Sequence, residues 1–186
     1  RFALILRGEG LGSNVSETDP LLAGKSPIKL IDHDVSSQKT ADIVNQLVEK
    51  AQRVLASEKL ANMILLRGFA KLPSVPSFME MYQLNATCIA VNGMYRGVSR
   101  LAGMHIQEVN GYSLADEFST LEKVWHDFDF FYLHFKKTDT CGENGDFEGK
   151  VEAIEEFDRQ IPRLMALNPD VVIVTGDHSS PAVLKF

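Results

Sequence analysis

The chain has 186 residues, of which 45% are hydrophobic and 24% charged, a composition typical of a globular protein with room for one full domain or two small ones. A formal net charge of -6 without any run of Lys or Arg argues against a nucleic-acid partner, which would need a basic face. No apolar run approaches the roughly 20 residues that cross a bilayer, and no signal-peptide pattern opens the sequence, so we expect a cytoplasmic protein with no membrane partner.

Five short apolar runs rich in Val, Ile, Leu and Phe predict β-strands, at residues 2–6, 62–67, 87–91, 128–135 and 170–175. Three longer segments repeat apolar residues every three or four positions and predict amphipathic helices, at residues 36–57, 113–125 and 148–167. Pro162 is expected to kink or split the last helix, because proline lacks the amide hydrogen that a helix interior needs. Strands that alternate with helices of this length indicate an α/β protein with a mainly parallel sheet.

Two less regular segments organise the chain. Residues 68–78 contain two prolines and no clear periodicity, and we place a domain junction there that divides residues 1–72 from residues 73–186. The polar segment at residues 8–27, rich in Gly and Pro, is long for a simple connection. Such a segment is either a binding loop or a flexible surface excursion, and the pattern favours neither.

Acidic side chains follow two of the predicted strands. Asp177 and His178 come directly after the last one, and Asp139 and Glu143 come shortly after the one before it. Ligands bind at the carboxyl ends of parallel strands, and crowded carboxylates favour a cation between them. Oxygen ligands with one imidazole favour Mn, Mg or Zn. The alternative is a structural one, in which the Asp-His pair forms a turn and a helix cap while Glu143 is a solvated loop residue.

Three arginines also stand next to glycine. Arg7 and Arg67 each end a predicted strand and precede a Gly, and Arg96 lies in the stretch MYRG. An Arg in this position can present its guanidinium to a phosphate or carboxylate while the backbone approaches closely. An ordinary surface ion pair accounts for the same pattern equally well.

Four stretches together resemble one known family. They are RFALILRGEGL with TDP at residues 18–20, MYRGVSRLAGM, KKTDTCGENGDFEGKVEAIEEFD and TGDHSSP. In this order they resemble the archaeal-type, cofactor-independent phosphoglycerate mutases of the alkaline phosphatase superfamily. The resemblance implies an alkaline-phosphatase-like α/β fold with a smaller inserted α/β domain. Residues 1–72 would then belong to the substrate-binding insert, and residues 73–186 to the metal-binding phosphatase-like domain.

The resemblance also implies a reaction, the interconversion of 2-phosphoglycerate and 3-phosphoglycerate through a phosphoserine enzyme at a site with two divalent ions. Asp177 and His178 match the pair that binds one ion, and Asp139 matches the residue that opens the motif of the other. That motif commonly runs D-x-x-x-H, but this sequence has Glu143 at the fifth position. A carboxylate can still bind a metal, although it is a harder ligand than imidazole. Mn is the expected ion, with Mg, Co and Zn as alternatives, and no 2,3-bisphosphoglycerate is expected.

The remaining assignments concern the substrate. Arg96 matches the basic residue that approaches the phosphoryl group in relatives, a catalytic and substrate-binding role. Arg7, Asp19 and Arg67 fall in the part that resembles the insert, where they would hold the glycerate and the phosphate. The resemblance places the nucleophilic serine before residue 1 and a further metal-binding histidine after residue 186, so we expect the 186-residue chain alone to be inactive.

Two other functions stay open. One is a related metal-dependent phosphotransferase or phosphatase that acts on another small phosphorylated metabolite, a hypothesis that the departure at Glu143 favours. The other is a catalytically inactive binding module that kept the fold and lost the site. The sequence predicts no particular oligomeric state.

Overall fold

The structure is a computed structural model that describes residues 2–22 and 24–183. The chain divides into two compact units, Arg1–Pro73 and Ser74–Phe186. The roles assigned above to residues 1–72 and 73–186 stay predictions. Across the described residues, no helix has both the length and the apolar character needed to cross a membrane.

The first unit is built around one long helix, α1 (Gln38–Leu55), which a 3-10 turn (Val35–Ser37) precedes. The predicted amphipathic pattern is confirmed, since Ala41 and Val44 on one face are buried together with Leu30 and Leu66. Extended segments cover this face. The amide of Thr18 donates to the carbonyl oxygen of Leu66 at 2.9 Å, and the amide of Leu66 donates to the Thr18 hydroxyl at 2.7 Å.

Three of the predicted strands are wrong, those at residues 2–6, 62–67 and 170–175. None of these segments lies in a strand ladder with other described residues. Ile5, Ile173 and Val174 are largely exposed. The apolar pattern identifies residues that suit a sheet, whereas a strand also needs a hydrogen-bonded neighbour.

The second unit contains a parallel three-stranded sheet in the order β2-β1-β3. The strands are β1 (Ala86–Ala90), β2 (His105–Ile106) and β3 (Phe130–His134). Every residue of β1 is buried, as expected for a central strand with both faces covered. The strands predicted at residues 87–91 and 128–135 are confirmed, and β2 was missed because it is two residues long.

The described residues of the second unit also form six helices: α2 (Phe78–Tyr82), α3 (Gly93–Leu101), α4 (Leu114–Val124), α5 (Lys137–Glu143), α6 (Phe147–Asp158) and α7 (Ile161–Ala166). Helix α4 begins at a capping box in which Ser113 and Asp116 bond each other's backbone amides. Its apolar face, with Phe118 and Leu121, packs on Ile89 of β1. The predicted break at Pro162 is confirmed, because α6 ends at Asp158 and Pro162 lies in the first turn of α7.

The parallel direction of the strands decides where functional side chains collect. The carboxyl ends of β1 and β3 lie at the same edge of the sheet. Beyond β1 the chain enters α3, and beyond β3 it enters α5. Side chains at the starts of these two helices are therefore brought to one rim, although they are distant in sequence.

Candidate functional site

Asp139 occupies the first turn of α5, immediately beyond the end of β3, and is buried. Its Oδ2 accepts a hydrogen bond from Nζ of Lys136, and this bond holds the pKa of Asp139 below its ordinary value. Its Oδ1 is buried and has no hydrogen-bond partner among the described residues. A buried carboxylate oxygen without a partner is costly, so this atom is poised to accept a cation or a donor.

The loop at residues 176–181 reaches Asp139 by docking on α5 and α6. A β-carbon at Gly142 would overlap the carbonyl oxygen of Ser180, so glycine is what permits this close approach. Lys150 of α6 then fixes the loop, since its Nζ donates to Ser180 O at 2.6 Å and lies 3.2 Å from Ser180 Oγ. These contacts hold the loop beside α5, whereas the sequence predicts a strand at residues 170–175 that would position it.

Docking of the loop brings three of the four predicted metal ligands together. The Nε2 atom of His178 lies 3.7 Å from Oδ1 of Asp139 and 3.7 Å from Oδ2 of Asp177. Bonds from a metal to imidazole nitrogen or carboxylate oxygen are about 2.0 to 2.2 Å long. Two atoms 3.7 Å apart are therefore close enough to share an ion, and one of them is the unpartnered Oδ1 of Asp139.

Tyr95 holds Asp177 in place. Its hydroxyl donates to Oδ2 of Asp177 at 3.0 Å, which keeps the pKa of Asp177 below its ordinary value. The ring of Tyr95 stacks on the ring of His134 in β3, with 3.3 Å between the centroids. Sequence reasoning missed this residue, although it lies inside the stretch MYRG that the resemblance singled out.

The fourth predicted ligand, Glu143, ends α5 one turn beyond Asp139 and is exposed. Within the described residues, no group of three or more His, Cys, Asp and Glu side chains is already arranged to hold an ion. The chemistry of Asp139, Asp177 and His178 fits a divalent cation, but Lys136 balances the charge of Asp139. The metal assignments, including Glu143, stay predictions.

Arg96 lies on α3, beside Tyr95. Its Nη2 is 2.6 Å from Oε1 of Glu108, so the guanidinium forms an ion pair. This is the structural role that the sequence left open as the alternative to ligand binding. The same two residues line a cavity of about 320 Å³. Arg96 therefore borders a space large enough for a small ligand, although its charge is partly balanced.

The other predicted substrate ligands belong to the first unit. Arg67 and Asp19 lie together, with 3.8 Å between Nη1 and Oδ2, and Oδ1 of Asp19 accepts a hydrogen bond from the amide of Leu21 at 2.8 Å. Arg7 is exposed and has no ion-pair partner among the described residues. The structure therefore brings two of these three side chains together.

Comparisons with known proteins agree with the motifs. Residues 10–186 match the family model of the metalloenzyme superfamily. The probable 2,3-bisphosphoglycerate-independent phosphoglycerate mutase of Thermotoga petrophila is 48% identical over 185 residues, which cover 100% of this chain and 46% of that protein. The chain thus spans about half the length of the curated relatives it matches.

Two solved structures share the fold. The PH0037 protein from Pyrococcus horikoshii matches with a TM-score of 0.63 and 26% identity, over 80% of this chain and 44% of that one. A cofactor-independent phosphoglycerate mutase from Thermoplasma acidophilum matches with a TM-score of 0.54 and 24% identity, over 84% and 43% of the two chains. The predicted resemblance and the alkaline-phosphatase-like α/β fold are both confirmed.

Proposed function

We propose that this chain, which belongs to the metalloenzyme superfamily, serves in a metal-dependent phosphoglycerate mutase that interconverts 2-phosphoglycerate and 3-phosphoglycerate. The observation that supports the proposal is the close approach of three side chains at the carboxyl edge of the sheet, where Nε2 of His178 lies 3.7 Å from a carboxylate oxygen of Asp139 and 3.7 Å from one of Asp177. The names of the relatives support a reaction without 2,3-bisphosphoglycerate. We place this reaction among the cytoplasmic enzymes of glycolysis.

Two divalent ions are part of the proposal, with Mn expected and Mg, Co and Zn as alternatives. Asp177 and His178 would hold one ion, and Asp139, with Glu143, the other. When bound, such ions neutralise phosphoryl charge and orient the attacking and leaving oxygens. The buried, unpartnered Oδ1 of Asp139 supports this role, because a cation there would complete its coordination. Lys136 would balance the negative charge of the Asp139 carboxylate when no cation is bound.

The arginines would bind the substrate. A guanidinium presents parallel N–H groups that match the geometry of phosphate and carboxylate oxygens. Arg96 would approach the phosphoryl group, and Arg7, Asp19 and Arg67 would hold the glycerate part. Arg67 is largely exposed, so its guanidinium is free to turn from Asp19 to a ligand at little cost.

The test is a mutase assay on the complete protein as it occurs in its source, with 3-phosphoglycerate and Mn and without 2,3-bisphosphoglycerate. Loss of a group that orients a ligand costs 10- to 100-fold in activity, so removal of a ligand itself should cost more. We expect His178→Ala and Asp177→Asn to lower kcat/KM by more than about 100-fold. His126→Ala removes an exposed histidine elsewhere and should change little. Unchanged activity in His178→Ala would refute the proposed site.

A related phosphatase or phosphotransferase is the second candidate, because Glu143 stands where the family commonly has histidine. The same preparation, given other small phosphomonoesters, separates the two functions. Release of inorganic phosphate faster than 2-phosphoglycerate formation would favour the second candidate. A protein that binds Mn but shows neither activity would instead be the inactive binding module.

A further inference from the structure

A cavity of about 410 Å³ lies at the carboxyl edge of the sheet, and neither Asp139 nor His178 is part of its lining. Residues 91–92 beyond β1, residues 112–114 at the start of α4, and residues 134–137 at the end of β3 form its walls, with Glu117 and Glu156. Its volume falls within the range of about 300 to 1,000 Å³ that is usual for small-molecule sites. The cavity is therefore large enough for a compact organic ligand.

Glu117 of α4 is the unusual member of this lining, because its side chain is only 3% exposed. Its Oε1 accepts a hydrogen bond from the amide of Val91 at 3.0 Å. Its Oε2 is buried and has no hydrogen-bond partner among the described residues. Leaving a buried carboxylate oxygen without a donor costs free energy, so Glu117, a lining residue of the cavity, has an acceptor that a bound donor would satisfy.

The other charged groups of the lining are already paired. Lys137 lies 3.0 Å from Glu156 of α6, and Lys136 bonds Asp139. Glu117 has no basic partner within ion-pair distance among the described residues. When it is ionised, its carboxylate is thus the uncompensated charge among the described residues that line this cavity.

Apart from the Val91 amide, the surroundings of Glu117 disfavour its charged form. Burial is the main cause that raises the pKa of Glu117 to about 7; the Val91 hydrogen bond lowers this pKa in part, and the nearby Asp116 carboxylate adds to the rise. Burial lowers the pKa of His134 of β3, which disfavours a positive charge on that ring. Burial also raises the pKa of the Cys88 thiol on β1. A ligand that carries positive charge would therefore relieve the cost of ionising Glu117.

We propose that this cavity binds a small organic ammonium ion, with its N–H groups directed to Oε2 of Glu117 and its carbon atoms against Leu114 and Phe135. An ammonium supplies both the missing donor and the missing positive charge. A neutral hydroxyl supplies the donor alone, and an anion would be repelled by the carboxylate. The proposal does not rest on the mutase reaction, because none of the predicted metal ligands takes part in it.

The test is an NMR titration of the full chain, labelled with ¹⁵N and ¹³C, with ethylammonium chloride at pH 8 and constant ionic strength. The Val91 amide is a direct reporter, because it donates to Glu117. We expect saturable shifts at the Val91 amide and the Leu114 methyl groups. Ethanol, the uncharged analogue, should produce no saturable shift. Absence of saturation by ethylammonium, or equal saturation by ethanol, would overturn the proposal.

A variant links the binding to the carboxylate. Glu117→Gln keeps an acceptor for the Val91 amide but removes the charge, and should weaken ethylammonium binding by at least about tenfold. Glu152→Gln makes the same change of net charge at an exposed position outside the cavity and should leave the affinity within about twofold. Equal affinities in Glu117→Gln and the unchanged protein would contradict the proposal.

The pH dependence of the unchanged protein provides a second measurement if the Gln variant fails to fold. The ammonium binds the ionised carboxyl, and lowering the pH from 8 to 6 protonates Glu117. We expect the affinity for ethylammonium to fall by about tenfold over this range. An affinity that does not change between pH 6 and pH 8 would overturn the proposal.

Discussion

Glu117 links the stability of the fold to pH. Its pKa is about 7 in the folded chain, against an ordinary value of 4.5, and burial is the main cause. Between these two values the folded state keeps a proton that the unfolded chain has lost. The free energy of unfolding therefore falls as the pH rises through this window, by about 3 kcal/mol in total, and the loss is complete above pH 7.

Replacing the titrating group tests this link. Glu117→Gln cannot ionise, so its stability relative to the unchanged protein should increase by about 2.5 kcal/mol between pH 5 and pH 8. Urea denaturation of both proteins at the two pH values measures the difference. Glu152→Gln, exposed on α6, serves as the control and should show no such trend. Parallel pH profiles for Glu117→Gln and the unchanged protein would contradict the burial argument.

Tyr95 is expected to act through Asp177. Tyr95→Phe keeps the ring that stacks on His134 but removes the hydroxyl that donates to Asp177. Loss of such an orienting bond typically weakens metal binding by 10- to 100-fold, and we expect a decrease in Mn affinity of about that size. Calorimetric titration with Mn measures it. Tyr112→Phe, at a tyrosine that is 91% exposed, should leave the Mn affinity unchanged.

At the level of single residues, the sequence predicts candidate site residues that belong to a recognisable motif. It misses residues that reach the site only through tertiary contacts. Asp139, Asp177 and His178 could be identified because each follows an apolar run in a recognisable stretch. Tyr95 could not, since its contact with Asp177 spans 82 positions. Glu117 looks like an ordinary acidic residue in the first turn of a helix, and only packing shows that it is buried.

The docking of the loop at residues 176–181 on α5 is the element-level feature on which the site depends. Gly142→Ala would place a methyl group against the carbonyl oxygen of Ser180, a backbone atom that cannot move without the loop. We expect the loop to be displaced and the Mn affinity to fall by at least about tenfold, with the helices retained. Calorimetry with Mn, together with circular dichroism, measures both quantities.

Gly97→Ala is the matched control for this change. Gly97 lies inside α3 and has open space where a β-carbon would stand. Alanine there should stabilise the helix by about 0.5 to 1 kcal/mol and leave the Mn affinity unchanged. If Gly142→Ala bound Mn as tightly as Gly97→Ala, the loop would not depend on this contact.

Helices and strands differ in how well the sequence predicts them. The amphipathic patterns of α1 and α4 and the break at Pro162 were predicted because a helix satisfies its own hydrogen bonds and its pattern is local. The runs at residues 2–6 and 170–175 are as apolar as β1, but they lie in no strand ladder with described residues. An apolar run predicts a segment that suits a β-strand. Whether the strand forms depends on hydrogen bonding to a neighbouring strand from another part of the sequence.

At the scale of the whole molecule, each unit has its own apolar core. Leu30, Val44 and Leu66 belong to the core of the first unit, while Ile89 and Phe118 belong to that of the second. The α/β class followed from the alternation of elements, and the parallel sheet of the second unit brings the ends of β1 and β3 to one rim. The predicted metal centre lies entirely within this second unit.

The most direct measurement of the central claim is anomalous X-ray diffraction from crystals of the complete protein grown with Mn. We predict an anomalous peak bonded to His178 and to a carboxylate of Asp139 or Asp177, and no peak there in crystals of His178→Ala. An active, Mn-dependent enzyme whose anomalous peaks all lie away from these three side chains would show that the metal is held elsewhere.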